Sequence, residues 1–230
     1  MPVKLVLMPG MDGSGELFRE FVAALQEGTA VQTLRYPTDR WVPYRELATE
    51  LVRVMPAEPF VLVAESYSVP LAIVVASMRP EGLRGMVLFA GFATSPVRGW
   101  KRDVGMRMAK AVSHLTLPGF VAEWMLLGQD APKRLVDEVT AAVSWVDGRV
   151  LAARVREVLM VDVLRELAEV SVAILYVQPT QDRLVDAACI EDLRMVKPAR
   201  TVAIDGPHLL LQREPGLCAE VVMGFVRELG

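Results

Sequence analysis

The sequence predicts an α/β fold, a mostly parallel sheet flanked by helices and interrupted by a helical insertion, on three observations. Through residues 1–95, short β-branched runs alternate with longer stretches of helical periodicity. The same alternation resumes at 171 and continues to 230. Between them, 96–170 offers no convincing strand, and a stretch of that length is too long for an ordinary loop. The expected organisation is therefore a core of 1–95 and 171–230 carrying an inserted helical segment, 96–170.

Val3 to Met8 reads as a buried strand that stops at Pro9-Gly10, and a glycine-rich turn follows to Gly15. From Glu16 to Glu27, Leu17, Phe18, Phe21, Val22 and Leu25 recur at helical spacing, so a helix is expected there. Val31 to Tyr36 is a second strand and Tyr44 to Met55 a second helix. Phe60 to Ala64 makes a third strand. Val69 to Met78 is a helix apolar nearly all round, which suits burial against a sheet. Gly85 to Ala90 is the fourth strand. The insertion contains "WKRDVGMRMAKAVSHL", "GFVAEWMLLG", "PKRLVDEVTAAVSWV" and "RVLAARVREVLMVDVLRELA", all helix-like and rich in Met, Leu, Val or Trp. Strands are then expected at Val172–Val177 and Thr201–Ile204, with helices near Ala187–Met195 and from Pro215.

With 230 residues and 53% hydrophobic content, the chain can bury a sizeable core. A net charge of −3 with 23% charged residues excludes a strongly basic surface, so no nucleic-acid partner is expected. Cys189 and Cys218 lie far apart and fit neither metal-ligand nor C-x-x-C spacing, so they read as core residues of a reducing compartment. The start "MPVKLVLMPG" has one Lys and a short apolar run, which points to no secretory leader and to a cytoplasmic address. The most apolar window, Pro59 to Met78, holds Glu65, three serines and two prolines, so strand, turn and helix describe it better than a membrane span.

The chemistry is carried by four segments. Ser66 sits on a tight strand-to-helix turn in Ala64-Glu65-Ser66-Tyr67-Ser68, where residues two before and two after must be small to avoid collision. The bland alternative is that Ser66 only caps the following helix. A nucleophilic serine needs a base, and the chain has two histidines. His114 reads as a helix-face residue of the insertion. His208, in a Gly-Pro turn after the last strand, stands at the carboxyl edge where loops converge on ligands, unless it is merely an exposed turn residue. Asp182, in the turn after the fifth strand, is the candidate orienting acid. Its rivals are Asp186, at the start of the next helix, and Asp205, only three residues before His208; an aspartate paired with Arg183 is the structural alternative.

The fourth segment is "LMPGMDGSGELF" after the first strand, whose backbone N–H groups can face a developing oxyanion. The expected donors are the N–H groups of Met11 and of Tyr67, the residue after the serine. Phosphate binding is disfavoured, because Glu16-Leu17 stand where a P-loop has Lys-Ser/Thr and Phe18 where G-x-G-x-x-G ends in Gly. Glu65 is left between a carboxylate hydrogen-bonded beneath the site and one in a polar seam.

With these segments in order, the whole chain resembles the α/β-hydrolase superfamily. "LMPGMDGSGELF" looks like its oxyanion segment with Pro9 for the usual His, "VAESYS" like its nucleophile elbow with Ala64 and Ser68 for glycines, "PTQDRLV" like its acid turn and "DGPHLLLQREP" like its histidine loop. The resemblance implies that Ser66 is the nucleophile, His208 the general base and then acid, and Asp182 the orienting carboxylate, with Met11 and Tyr67 as oxyanion donors. The insertion then corresponds to a cap that shapes the acyl pocket. An epoxide hydrolase or dehalogenase would carry Asp at position 66. The implied activity is hydrolysis of small to medium apolar esters through an acyl-serine, with no metal and no cofactor. Acyl transfer to an alcohol and thioester cleavage use the same residues, and a non-catalytic hydrolase-fold protein that binds or senses an apolar ligand is the alternative of another class. Exposed apolar residues on the insertion would serve a homodimer or a lipid interface.

Overall fold

The computed structural model describes residues 3–97 and 124–230. Among the described residues six parallel strands form one sheet: β1 Lys4–Met8, β2 Val31–Thr33, β3 Phe60–Glu65, β4 Leu83–Phe89, β5 Ala173–Pro179 and β6 Arg200–Ile204. Their order is β2-β1-β3-β4-β5-β6. The chain moves outward from β1 to β2, then returns to the other side of β1 for β3. That reversal opens a crevice at the carboxyl edge between β1 and β3, where doubly wound sheets bind ligands. The α/β fold with helices on both faces is the one the sequence predicts.

The inner strands are dominated by apolar runs because both faces are covered, and every residue of β3 is buried. On one face α1 (Arg19–Ala24) packs with the C-terminal helix, Pro215–Glu228, around Phe21, Val63, Phe89 and Val222. On the other lie α2 (Tyr44–Val52) and α3 (Ser68–Ser77). α3 is buried through Ala76, with α2 packed against it.

Between β4 and β5 the described part of the insertion forms α4 (Lys133–Ser144), α5 (Gly148–Met160) and α6 (Leu164–Glu169). α6 packs beside α3 and α7 (Cys189–Val196), within the layer that covers the sheet. The first insertion stretch, with Trp100 and His114, lies outside the described residues. α8 (Leu210–Arg213) and α9 (Pro215–Glu228) complete the chain.

Three expectations change in detail. The helix expected from Glu16 begins as a 3-10 turn, Glu16–Phe18, and ends at Ala24, because Leu25 turns extended. The second strand closes at Thr33 rather than Tyr36; the chain beyond it bonds Leu34 N to Leu7 O and then Tyr36 N to Gly13 O, following the glycine-rich loop. α8 was not expected, since its apolar run reads as a loop. No helix among the described residues is long and apolar enough to cross a membrane.

Candidate active site

From Phe60 to Ala76 every residue is buried except Ser66, which is partly exposed. β3 runs straight into α3, and Ser66 takes the whole reversal, at φ 50°, in the left-handed region that non-glycine residues rarely adopt. The turn is held at both ends. Ser66 N donates to Phe89 O at 2.9 Å, and Val69 N donates to Ser66 O at 2.9 Å. A Cβ on Gly91 would lie 2.3 Å from Val69, so the chain leaving β4 must be glycine there to pass the start of α3.

Ser68 does more than stay small. Its hydroxyl donates to Pro9 O and accepts from Tyr36 Oη at 2.6 Å, which ties the loop after β1 to the first turn of α3. Tyr44 Oη donates to Tyr67 O at 2.7 Å. Three of the chain's four tyrosines thus enclose the turn, and burial pushes all three phenols well above their ordinary range, so they stay neutral donors. The sequence singled out Tyr67 only for its backbone N–H, and Tyr36 and Tyr44 not at all; the one available signal for this cluster was a serine where a glycine is usual.

At the same edge β6 delivers His208, 2% exposed, and β5 delivers Asp182. His208 Nε2 lies 2.7 Å from Ser66 Oγ, and His208 Nδ1 lies 2.8 Å from Asp182 Oδ2. Asp182 Oδ1 accepts from Leu184 N at 2.8 Å and Val185 N at 3.0 Å, which fixes the carboxylate plane. The rival aspartates are engaged elsewhere. Asp186 Oδ1 accepts from Ala188 N, ahead of α7, and Asp205 Oδ1 accepts from Thr180 Oγ1 and Gln181 Nε2. The structure therefore brings Ser66, His208 and Asp182 into one chain of hydrogen bonds. A hydroxyl joined this way to an imidazole can lose its proton to it, while the carboxylate stabilises the resulting imidazolium.

Met11 follows β1 across the crevice, and Tyr67 is the N-cap of α3. Among the described residues neither backbone N–H donates to a protein acceptor. A cleft of about 520 Å³ lined by Trp41, Tyr44, Val74 and Met160 opens between α2 and α5 and includes neither Ser66 nor His208. No cluster of His, Cys, Asp or Glu that could hold a metal ion occurs among the described residues.

Glu65 ends β3 beneath this site, 2% exposed. Its Oε2 accepts from Gln212 Nε2 at 3.2 Å, while Glu65 Oε1 and Gln212 Oε1 have no partner among the described residues. Burial, opposed by the Gln212 hydrogen bond and reinforced by the nearby Asp12 charge, pushes the Glu65 carboxyl up from 4.5 to about 8. The folded protein therefore holds this proton more tightly than the unfolded chain. The stability it contributes is fully present below pH 4.5 and is lost as pH rises through about 8. Glu65→Gln is expected to flatten the fall in unfolding free energy between about pH 5 and 9, measured by urea titration. An equally steep fall in the variant would assign the slope to other groups.

No protein-family model matches the sequence, and no curated protein does. Solved structures do match. A hydrolase from Oleispira antarctica, olei00960, superposes with a TM-score of 0.81 at 11% identity, covering 98% of this chain and 91% of that one. The enol-lactonase from Burkholderia xenovorans LB400 gives 0.78 at 15% identity, with 99% and 92% covered. An extracellular α/β-hydrolase from a Paenibacillus species gives 0.75 at 16% identity, with 97% and 98% covered. At such identities the likeness concerns architecture, and it extends over nearly the whole length of each partner. The chain has the α/β-hydrolase fold.

Proposed function

We propose that the protein is a serine hydrolase that cleaves carboxylic esters of small to medium apolar acids. The observation that carries this reading is the continuous path from Ser66 Oγ through His208 to Asp182, at 2.7 and 2.8 Å. Ser66 Oγ attacks the ester carbonyl as His208 Nε2 takes its proton. The tetrahedral oxyanion accepts hydrogen bonds from Met11 N–H and Tyr67 N–H. As it collapses, His208 returns the proton to the departing alkoxide and an acyl-serine remains. Water, deprotonated by His208, then attacks the acyl-serine and releases the acid with Ser66 restored.

Glu65 fits this reading as a neutral neighbour: protonated near pH 7, it adds no negative charge beneath a site where negative charge develops. The enol-lactonase among the structural neighbours is named for opening an internal ester, the same class of bond. The segment 96–170 serves in this reading as a cap over the acyl site. A cytoplasmic address belongs to it as well, on the wide spacing of Cys189 and Cys218 in the chain.

The test is labelling with a fluorophosphonate probe together with a panel of p-nitrophenyl esters of increasing acyl length. The expected result is one label, on Ser66, and turnover greatest on short to medium chains. A label on another serine, or no turnover at any length, would overturn the reading. Added alcohol acceptors identify the product: transfer to the alcohol in preference to water would make the protein an acyltransferase.

A further inference from the structure

The proposed reaction needs two backbone N–H groups held in place, and the insertion grips both residues that would supply them. Arg154 and Glu157 stand three apart on α5 and so share a face. Arg154 is 2% exposed. Its Nη1 donates to Met11 O at 2.6 Å and its Nη2 to Pro37 O at 2.8 Å. The same guanidinium lies 5.6 Å from the centre of the Tyr67 ring and 6.0 Å from that of Tyr36. Glu157 accepts from Tyr67 Oη at 3.0 Å, from Tyr44 N at 2.7 Å and from Trp41 Nε1 at 3.3 Å.

The loop after β1 is shaped to admit this guanidinium. Gly13 has φ 69°, and a Cβ there would lie 3.1 Å from Arg154 Nη1 and 3.0 Å from the Tyr36 side chain. Gly13 N donates to Gly10 O at 3.1 Å, so the turn is closed on one side by its own backbone and on the other by Arg154. Tyr67 is held at its carbonyl by Tyr44 and at its hydroxyl by Glu157, so both ends of the residue that carries this N–H are fixed. Burying a cation is costly unless its donors are satisfied, and an apolar side chain of similar volume would fill the space without that cost. One donor of Arg154 goes instead to the carbonyl of Met11, one of the two candidate oxyanion residues, and another to Pro37 O.

We propose that Arg154 and Glu157 are positioning residues, which hold the loop after β1 and the first turn of α3 so that Met11 N–H and Tyr67 N–H converge on the oxyanion. The inference rests on the serine-hydrolase reading above. It makes α5 part of the catalytic apparatus rather than only a wall of the acyl site. A lysine at 154 keeps the charge but lacks the planar fork that reaches two carbonyls at once. A glutamine at 157 keeps an oxygen that can accept from Tyr67 Oη, whereas leucine does not.

The experiment compares wild type with Arg154→Lys, Arg154→Met, Glu157→Leu and Glu157→Gln. It reads kcat and KM on a short p-nitrophenyl ester, Tm, and inhibition by an alkyl boronic acid, which becomes a tetrahedral anion on the serine. Both Arg154 variants are expected to lose roughly 10–100-fold in kcat, with KM within about threefold of wild type. Boronate affinity should fall in parallel with kcat, and Glu157→Gln should recover most of the loss seen in Glu157→Leu. Variants with a lowered Tm but an unchanged kcat and boronate affinity would show a purely structural role and overturn the proposal. Should Arg154→Met fail to fold, Arg154→Lys and the Glu157 pair decide the matter by the same criteria. An active wild type with unaffected variants overturns the positioning role alone, whereas a wild type without turnover overturns it together with the hydrolase reading.

Discussion

Ser66→Ala is expected to lower ester turnover by about 10⁴–10⁶-fold, leaving only what binding and the oxyanion donors contribute without a nucleophile. The size follows from the site's geometry. Ser66 is the one partly exposed residue between Phe60 and Ala76, and His208 Nε2 is already in hydrogen-bond contact with its Oγ. No other hydroxyl is bonded to His208 among the described residues. The fold should tolerate the change, since alanine meets the same cost at φ 50° as serine. Steady-state kinetics beside a thermal melt checks both parts. Retention of more than about a tenth of the wild-type kcat by a pure, folded variant would remove Ser66 from the mechanism.

Asp182→Asn should cost about 10⁴-fold in kcat, and the surrounding hydrogen bonds explain why the isosteric change is so severe. Leu184 N and Val185 N both donate to Oδ1. In the variant the amide oxygen keeps those bonds, so the NH₂ group takes the position facing His208 Nδ1. That nitrogen must then accept rather than donate, which moves the imidazole proton to Nε2, against Ser66. The histidine holds the wrong tautomer and cannot act as a base. Asp205→Asn and Asp186→Asn should stay within a few-fold of wild type, because their carboxylates bond Thr180, Gln181 and Ala188 rather than His208. The measurement is kcat for all three at one pH. A loss in Asp205→Asn as large as in Asp182→Asn would reassign the acid.

Much of this arrangement is legible in the chain. Within the strands, runs such as "LVLM" and "FVLVA" are apolar throughout because a doubly covered parallel sheet leaves them no solvated face. Glycine and proline mark the loops that leave β1 and β6, and the small residues Ala64 and Ser68 mark a turn with no space for larger ones. These are local requirements of steric fit and periodicity, so they leave a local trace. The end of β2 left a weaker one: Leu34 and Tyr36 read as strand, but Tyr36 N turns to Gly13 O in a loop far earlier in the chain.

Order along the chain was enough to nominate Ser66, Asp182 and His208 and to set the sheet that carries them. It preferred Asp182 to Asp186 and Asp205 only by the place each holds in the chain, since all three lie within 24 residues of one another. Tertiary structure sets them apart by their partners: one carboxylate lies against His208 Nδ1, while the others bond nearby backbone and side-chain donors. Glu65 acquired its raised pKa in the same way, from burial against Gln212 and near Asp12. Arg154 is the furthest case. One arginine of a helical insertion looks like any solvated charge in the sequence, and only packing α5 against a loop 143 positions earlier gives its guanidinium Met11 O to hold. Periodicity and steric demand act between neighbours and can be read from them, whereas hydrogen bonding and desolvation depend on which distant groups the fold brings within about 3 Å.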